Sequence, residues 1–211
     1  MKTENFIRLL AEDLPSGPAR QGIALTRWMS ATALVTGAAF LLFTGARADL
    51  LGGGLLPSIM KVFMGALLAW AAIGGATSLA RPEASVVQPL RRLVTFAAFL
   101  AFLFATELMF RGLDGWLVRM FGKSIVGCLT VIPLLALLPL VVSLHALRGG
   151  ATTSPTFAGG LAGLASAGVA IIAYGVFCTE DSLVFVATWY SLAAIMVAGL
   201  GAVLGRTLLR W

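Results

Sequence analysis

The sequence predicts an all-α integral membrane protein: a bundle of six transmembrane helices with a short amphipathic N-terminal helix. Two observations predict it. The 211 residues are 59% apolar and 11% charged, whereas a soluble domain carries about 25% charged residues. One soluble core could not hide so much apolar surface. The apolar residues also gather into six runs, each near the roughly 20 residues a spanning helix needs, and the alternation of a β-barrel strand is absent.

The first run covers 28–44. The motif Ala46-Arg47-Ala48 after it has the look of a signal-peptidase site, but the acids and prolines ahead of the run are unlike a short basic leader. The second run, 57–80, holds Lys61 near its start, which is expected to snorkel outward to water. The third, 93–110, carries Glu107 near its end, read as a ligand or an interfacial residue. The fourth, 125–147, has Cys128 near its start and Pro133 and Pro139 inside.

In the fifth, 157–177, Ala158, Ala162, Ser166 and Ala170 recur every four residues beside Gly159, Gly163 and Ala167. In the sixth, 183–204, Ala194, Ala198 and Ala202 repeat at the same interval. Small residues at this spacing let helix backbones approach in lipid, which supports a bundle without specifying pairs. Glu180 and Asp181, just before the sixth run, are expected with Ser182 to cap its free N–H groups.

Orientation follows from the basic residues in short loops. One side receives Lys2, Arg8, Arg20, Arg27, Arg81, Arg91, Arg92, Arg148, Arg206 and Arg210, and the other Arg47, Lys61, Arg111, Arg119 and Lys123. That bias predicts both termini in the cytoplasm. The net charge of +6 is then accounted for by topology and anionic headgroups. No basic stripe with interleaved aromatics is present, so direct nucleic-acid binding is not expected.

Residues 1–27 form the cytoplasmic segment. Within it Phe6, Leu10 and Leu14 recur every four residues with Ile7 and Leu9 beside them, Thr3 can cap, and Pro15 and Pro18 are expected to stop the helix. Two partners suit such a helix: a membrane surface, or a protein groove. Glu4, Glu12 and Asp13 would be repelled by anionic lipid, which favours the groove.

Cys128 and Cys178 fall at the same end of the predicted bundle, the extracytoplasmic one given cytoplasmic termini. A disulfide, a soft metal ion held by two thiolates with Glu180, Asp181 or Glu107 as further ligands, a redox sensor, and plain small fillers at helix ends all remain open. Neighbouring carboxylates are expected to raise the thiol pKa. No nucleophile–base set for an enzyme is visible.

The stretches "MKTENFIRLLAEDL", "IPLLALLPL" after Cys128, "LRGGATTSPTFAGGLAGL", "CTEDSLVFVATWY" and "LGRTLLRW" together resemble the NrsF-type transmembrane anti-sigma factors, in family order over nearly the full length. Phe177 stands where the family often has a polar residue, so no histidine ligand is carried over. The resemblance implies a regulator, not an enzyme, in the bacterial inner membrane, holding an extracytoplasmic-function sigma factor through residues 3–14. It implies release under heavy-metal or oxidative stress through Cys128 and Cys178, with no cofactor required and a heavy-metal ion at those sulfurs as one option. The alternative from another class is a small transporter or channel for an ion or small solute, against which stand mid-sections nearly devoid of ionisable groups.

Overall fold

A computed structural model describes residues 18–79, 85–150, 152 and 154–209. The predicted helix at 3–14 lies outside them. Among the described residues there is no strand, and six helical stretches are long and apolar enough to cross a membrane.

In chain order the elements are α1 (Pro18–Thr44), α2 (Leu55–Leu79), α3 (Val87–Arg111), the short α4 (Trp116–Phe121), α5 (Ile125–Leu147), α6 (Pro155–Phe177) and α7 (Leu183–Leu208). They run up and down, so one end of the bundle gathers the ends of α1, α3 and α6 with the starts of α2, α5 and α7. This is the cysteine end.

The apolar runs mark where helices exist, but the helices continue past them. α1 begins at Pro18, which opens the helix. A proline at a first helical position sacrifices no hydrogen bond and already has the right φ. α3 begins at Val87, ahead of Arg91 and Arg92. The Arg92 guanidinium lies 5.9 Å from the Trp70 ring centroid of α2, a contact that accommodates the charge.

α6 is the axis of the bundle, with 72% of its most apolar window buried. It packs closely against α2 and α7, and also meets α5 and α1, while α3 leans on α2 and on the start of α7. The close contacts are made by glycine. A Cβ on Gly168 would lie 2.7 Å from the Gly65 oxygen and the Ala69 nitrogen of α2. On the other side, a Cβ on Gly163 would lie 2.7 Å from Ala198 Cα, and one on Gly205 2.7 Å from Gly159 Cα. These backbones touch without side chains between them, the geometry small-residue spacing makes possible. The small-residue stripe read in the fifth run is thus the packing face. In α7 the seam runs through Val197, Ala198, Gly201 and Gly205, with Ala202 of the expected alanine repeat facing Gly160.

α7 has an irregular start. Residues Val186–Tyr190 form a π-turn, a widening that recurs at functional positions. There Trp189 Nε1 donates to the Met120 carbonyl of α4 at 2.7 Å, tying the short helix to the bundle.

Candidate functional site

The cysteine end is where the chain concentrates its chemistry. The segment between α6 and α7, residues 178–182, is its hub. The Cys178 carbonyl accepts a hydrogen bond from Lys61 Nζ at 2.8 Å, with Arg47 Nη1 at 3.5 Å. Asp181 Oδ1 accepts from the same Lys61 Nζ at 2.8 Å and from Arg47 Nη1 at 2.7 Å, and its Oδ2 from Arg47 Nη2 at 2.9 Å. Arg47 also forks onto Asp49, at 2.6 and 2.8 Å. Glycines make room for both cations: a Cβ on Gly175 would press on Lys61 Cβ at 2.9 Å, and one on Gly54 on Arg47 Nε at 2.6 Å.

Lys61 therefore does not snorkel outward. It is 2% exposed, because a carboxylate and a carbonyl across the bundle supply the acceptors that water would otherwise provide. Asp181 is not a helix cap either, since both its oxygens face cations. Burial alone would raise its pKa, but the hydrogen bonds from Arg47 and Lys61 hold it below the ordinary carboxylate range. The hydrogen bond from Arg47 likewise lowers Asp49.

The start of α7 is capped by two groups. Ser182 Oγ accepts from Phe185 N at 3.4 Å. Glu107, reaching across from α3, accepts from Val184 N at 3.0 Å and from Ser182 Oγ at 2.8 Å. An acid at a helix N-terminus also meets the positive end of the helix dipole. Glu107 is buried, with Arg119 Nε 3.5 Å away, and is neither an interfacial residue nor free for a ligand. Glu180 accepts from the backbone N–H of Lys123 at 2.7 Å, anchoring the loop ahead of α5 instead of capping α7.

The two sulfurs lie together beneath this lattice. Cys128 is fully buried and Cys178 2% exposed, and both are free thiols. The two thiols act on each other electrostatically, and Cys128 Sγ lies 3.7 Å from Tyr174 Oη. Tyr190 Oη is buried nearby without a hydrogen bond. Tyr174 in turn belongs to a cluster of rings with Phe40, Phe177 and Tyr190, their contacting centroids 5.5–6.3 Å apart.

The expectation that carboxylates raise the thiol pKa is reversed at Cys178. The hydrogen bond from Cys128 lowers it, against the burial that raises it, and the charge of Lys61 adds to the lowering. Asp181 is already neutralised by its cations. Glu180, Asp181 and Glu107 are engaged by Lys123 N, by Arg47 and Lys61, and by Ser182 and Val184 N, and no group of three or more potential ligands is assembled among the described residues. What the sulfurs offer is a two-thiol site.

Sequence reasoning missed Arg47 and Lys61 as parts of this site. For Lys61 the signal was present: a charge within an apolar run of so charge-poor a chain needs a partner.

Six helices of membrane-spanning length and composition, with paired buried thiols and a polar lattice at one end, define the described residues as a helical bundle of the membrane-protein type. The chain belongs to the family described as NrsF, negative regulator of sigma F, whose model matches residues 10–211. It is 43% identical over 90 residues to the anti-sigma-F factor NrsF of Caulobacter vibrioides (strain NA1000 / CB15N), a stretch covering 43% of this chain and 42% of that one. It is 30% identical to the probable anti-sigma-F factor NrsF of Azospira oryzae (strain ATCC BAA-33 / DSM 13638 / PS), over the whole of both chains. No solved structure matches.

Proposed function

We propose that this protein is an anti-sigma factor of the bacterial inner membrane, with both termini in the cytoplasm. It holds an extracytoplasmic-function sigma factor through Phe6, Ile7, Leu9, Leu10 and Leu14, and releases it when Cys128 and Cys178 react. Family membership supports the sigma-factor partner. The observation that carries the switch is the Lys61 and Arg47 contact with the Cys178 carbonyl. It ties the backbone at one sulfur to α2 and to the residues that follow α1.

Oxidation would join the two sulfurs, passing two electrons and two protons to a peroxide that leaves as water. A soft metal ion would instead displace the two thiol protons and be held by both sulfurs. Either event repacks the wall of α5 against α6 and moves residue 178. Arg47 follows, and α1 leads from there toward the N-terminal segment. For this to work, the reacted state must favour one arrangement of the bundle over the other. A tenfold release takes about 1.4 kcal/mol of difference.

The test is the Cys128→Ser/Cys178→Ser variant, measured by sigma-dependent transcription under cadmium, dichromate or peroxide. Sigma stays bound and transcription stays low in the variant; normal induction defeats the switch. Separately, Phe6→Glu/Leu10→Glu frees sigma while the protein remains in the membrane fraction. Undiminished co-purification of sigma with that variant would rule out the N-terminal contact.

A further inference from the structure

Beside the ion lattice, α2, α3 and the start of α7 enclose a cavity of about 460 Å³. Its inner wall carries Lys61, Glu107 and Asp181, its rim Arg111, and the rest is apolar, with Met60, Met64 and Phe110. A second cavity of about 250 Å³ continues along α3 and shares Met64 and Val186 with the first. It is lined almost wholly by apolar groups, among them Leu68, Phe96, Ala97 and Leu100. The pair forms one groove, polar at the cysteine end and oily below.

We infer that this groove binds an anionic phospholipid, with its phosphate at Lys61 and Arg111 and one acyl chain laid along the inner face of α3. The inference rests on the reading of the chain as a membrane protein.

Charge selects the occupant. Both carboxylates of the wall are already engaged: Asp181 by Arg47 and Lys61, Glu107 by Ser182, Val184 and Arg119. An ammonium offers three N–H donors. Lys61 spends two, on Cys178 and Asp181, and the third has no acceptor among the described residues. Arg111 is exposed at the end of α3 and pairs with no described residue. The groove thus presents one buried spare donor and one uncommitted guanidinium where a phosphate would sit. A zwitterionic lipid brings the same phosphate but sets a quaternary ammonium charge beside Arg111, and a headgroup without a phosphate leaves both donors unmet.

The chain length of the oily part selects a lipid over free phosphate. Apolar surface facing a groove gains nothing from a small anion, and an acyl chain fills it. The lipid would wedge α3 away from α6 while holding Lys61, and so would set how firmly the Cys178 carbonyl is gripped.

The test is native mass spectrometry of the full chain in detergent, offered phosphatidylglycerol or phosphatidylcholine. Phosphatidylglycerol is retained about fivefold more, the worth of one cation at an anionic lipid, about 1 kcal/mol. Arg111→Ala, a change at an exposed position, removes that preference. Ala97→Phe blocks the groove and lowers retention of both lipids, while Phe102→Ala on the outer face of α3 leaves it intact. Equal retention of the two lipids by the native chain overturns the inference, and so does a preference that survives Arg111→Ala. Displacement of the lipid by inorganic phosphate alone would mean an anion site without a chain, and also overturns it. Should carbonate extraction strip the protein from membranes, the membrane reading itself fails, independently of these outcomes.

Discussion

Lys61 and Asp181 meet at 2.8 Å although they stand 120 positions apart in the chain. Lys61 is fully enclosed, and the Asp181 side chain keeps one-third of its exposure. Removing the amine with Lys61→Met leaves Asp181 to Arg47 alone and the Cys178 carbonyl without its shorter hydrogen bond. A wholly buried pair broken on one side costs about 3–5 kcal/mol. With Asp181 partly in water, about 2 kcal/mol is expected. The measurement is thermal unfolding in detergent for Lys61→Met, Asp181→Asn and the double variant. Their effects should be less than additive by at least about 0.5 kcal/mol. Strict additivity would mean the two residues do not act together.

Acid should loosen the cysteine end first. Asp181 and Asp49 have folded pKa values below their unfolded ones. Their stabilisation is complete above the ordinary aspartate value of about 3.9 and is lost as pH falls through the lowered folded values. Melting temperature should fall as pH drops below about 4. Asp181→Asn should start lower and fall less steeply. An Asp181→Asn protein with an acid limb as steep as the native one would show that this carboxylate does not govern the transition.

The glycines of α6 and α7 should differ sharply in tolerance. Gly168→Ala drives a methyl against the α2 backbone, at 2.7 Å from Gly65 and Ala69, so helices must part. Overpacking of this kind costs about 1–3 kcal/mol. Gly199, by contrast, has nothing within 4 Å of where a Cβ would stand. Gly199→Ala should be neutral or stabilising, by up to about 1 kcal/mol from helix propensity. Equal melting temperatures for the two variants would contradict the packing.

Glu107 and Ser182 cap α7 jointly. Glu107→Ala strands the Val184 N–H and frees Ser182, at about 1–3 kcal/mol. Ser182→Ala costs about 1 kcal/mol. Hydrogen exchange at Val184 and Phe185 reads the loss locally, and faster exchange there than in the middle of α7 is expected for both variants.

The thiols should be slow to react in the resting protein. At 0% and 2% exposure, neither sulfur is within reach of a maleimide until the cysteine end opens. Labelling should therefore accelerate in Asp181→Ala, at a rate that tracks the loss of the lattice. Rapid labelling of the native protein would contradict the burial of both sulfurs.

How much of this was legible depends on distance along the chain. Apolar runs are local, so the helices at 125–147 and 157–177 match α5 and α6 to within a turn. The small-residue face of α6 was legible for the same reason. The proximity of Cys128 and Cys178 followed from counting turns between the ends of the bundle. The ion lattice did not, because Arg47, Lys61, Glu107, Asp181 and Ser182 come from four separate stretches, and each taken alone had a simpler account in water or at a helix end. The π-turn and α4 carry no periodic signal: a wide turn and a helix of six residues leave hydropathy unchanged.

The lattice also has a temporal consequence. Arg47 and Lys61 leave the ribosome long before Asp181 does, yet their acceptors at residues 178 and 181 belong to the last helical hairpin. During biogenesis the first five helices must assemble around Lys61, whose counter-ion has not been made, while Arg47 has only Asp49. The final hairpin then acts as a clasp, since it alone brings the acceptors that Lys61 uses among the described residues.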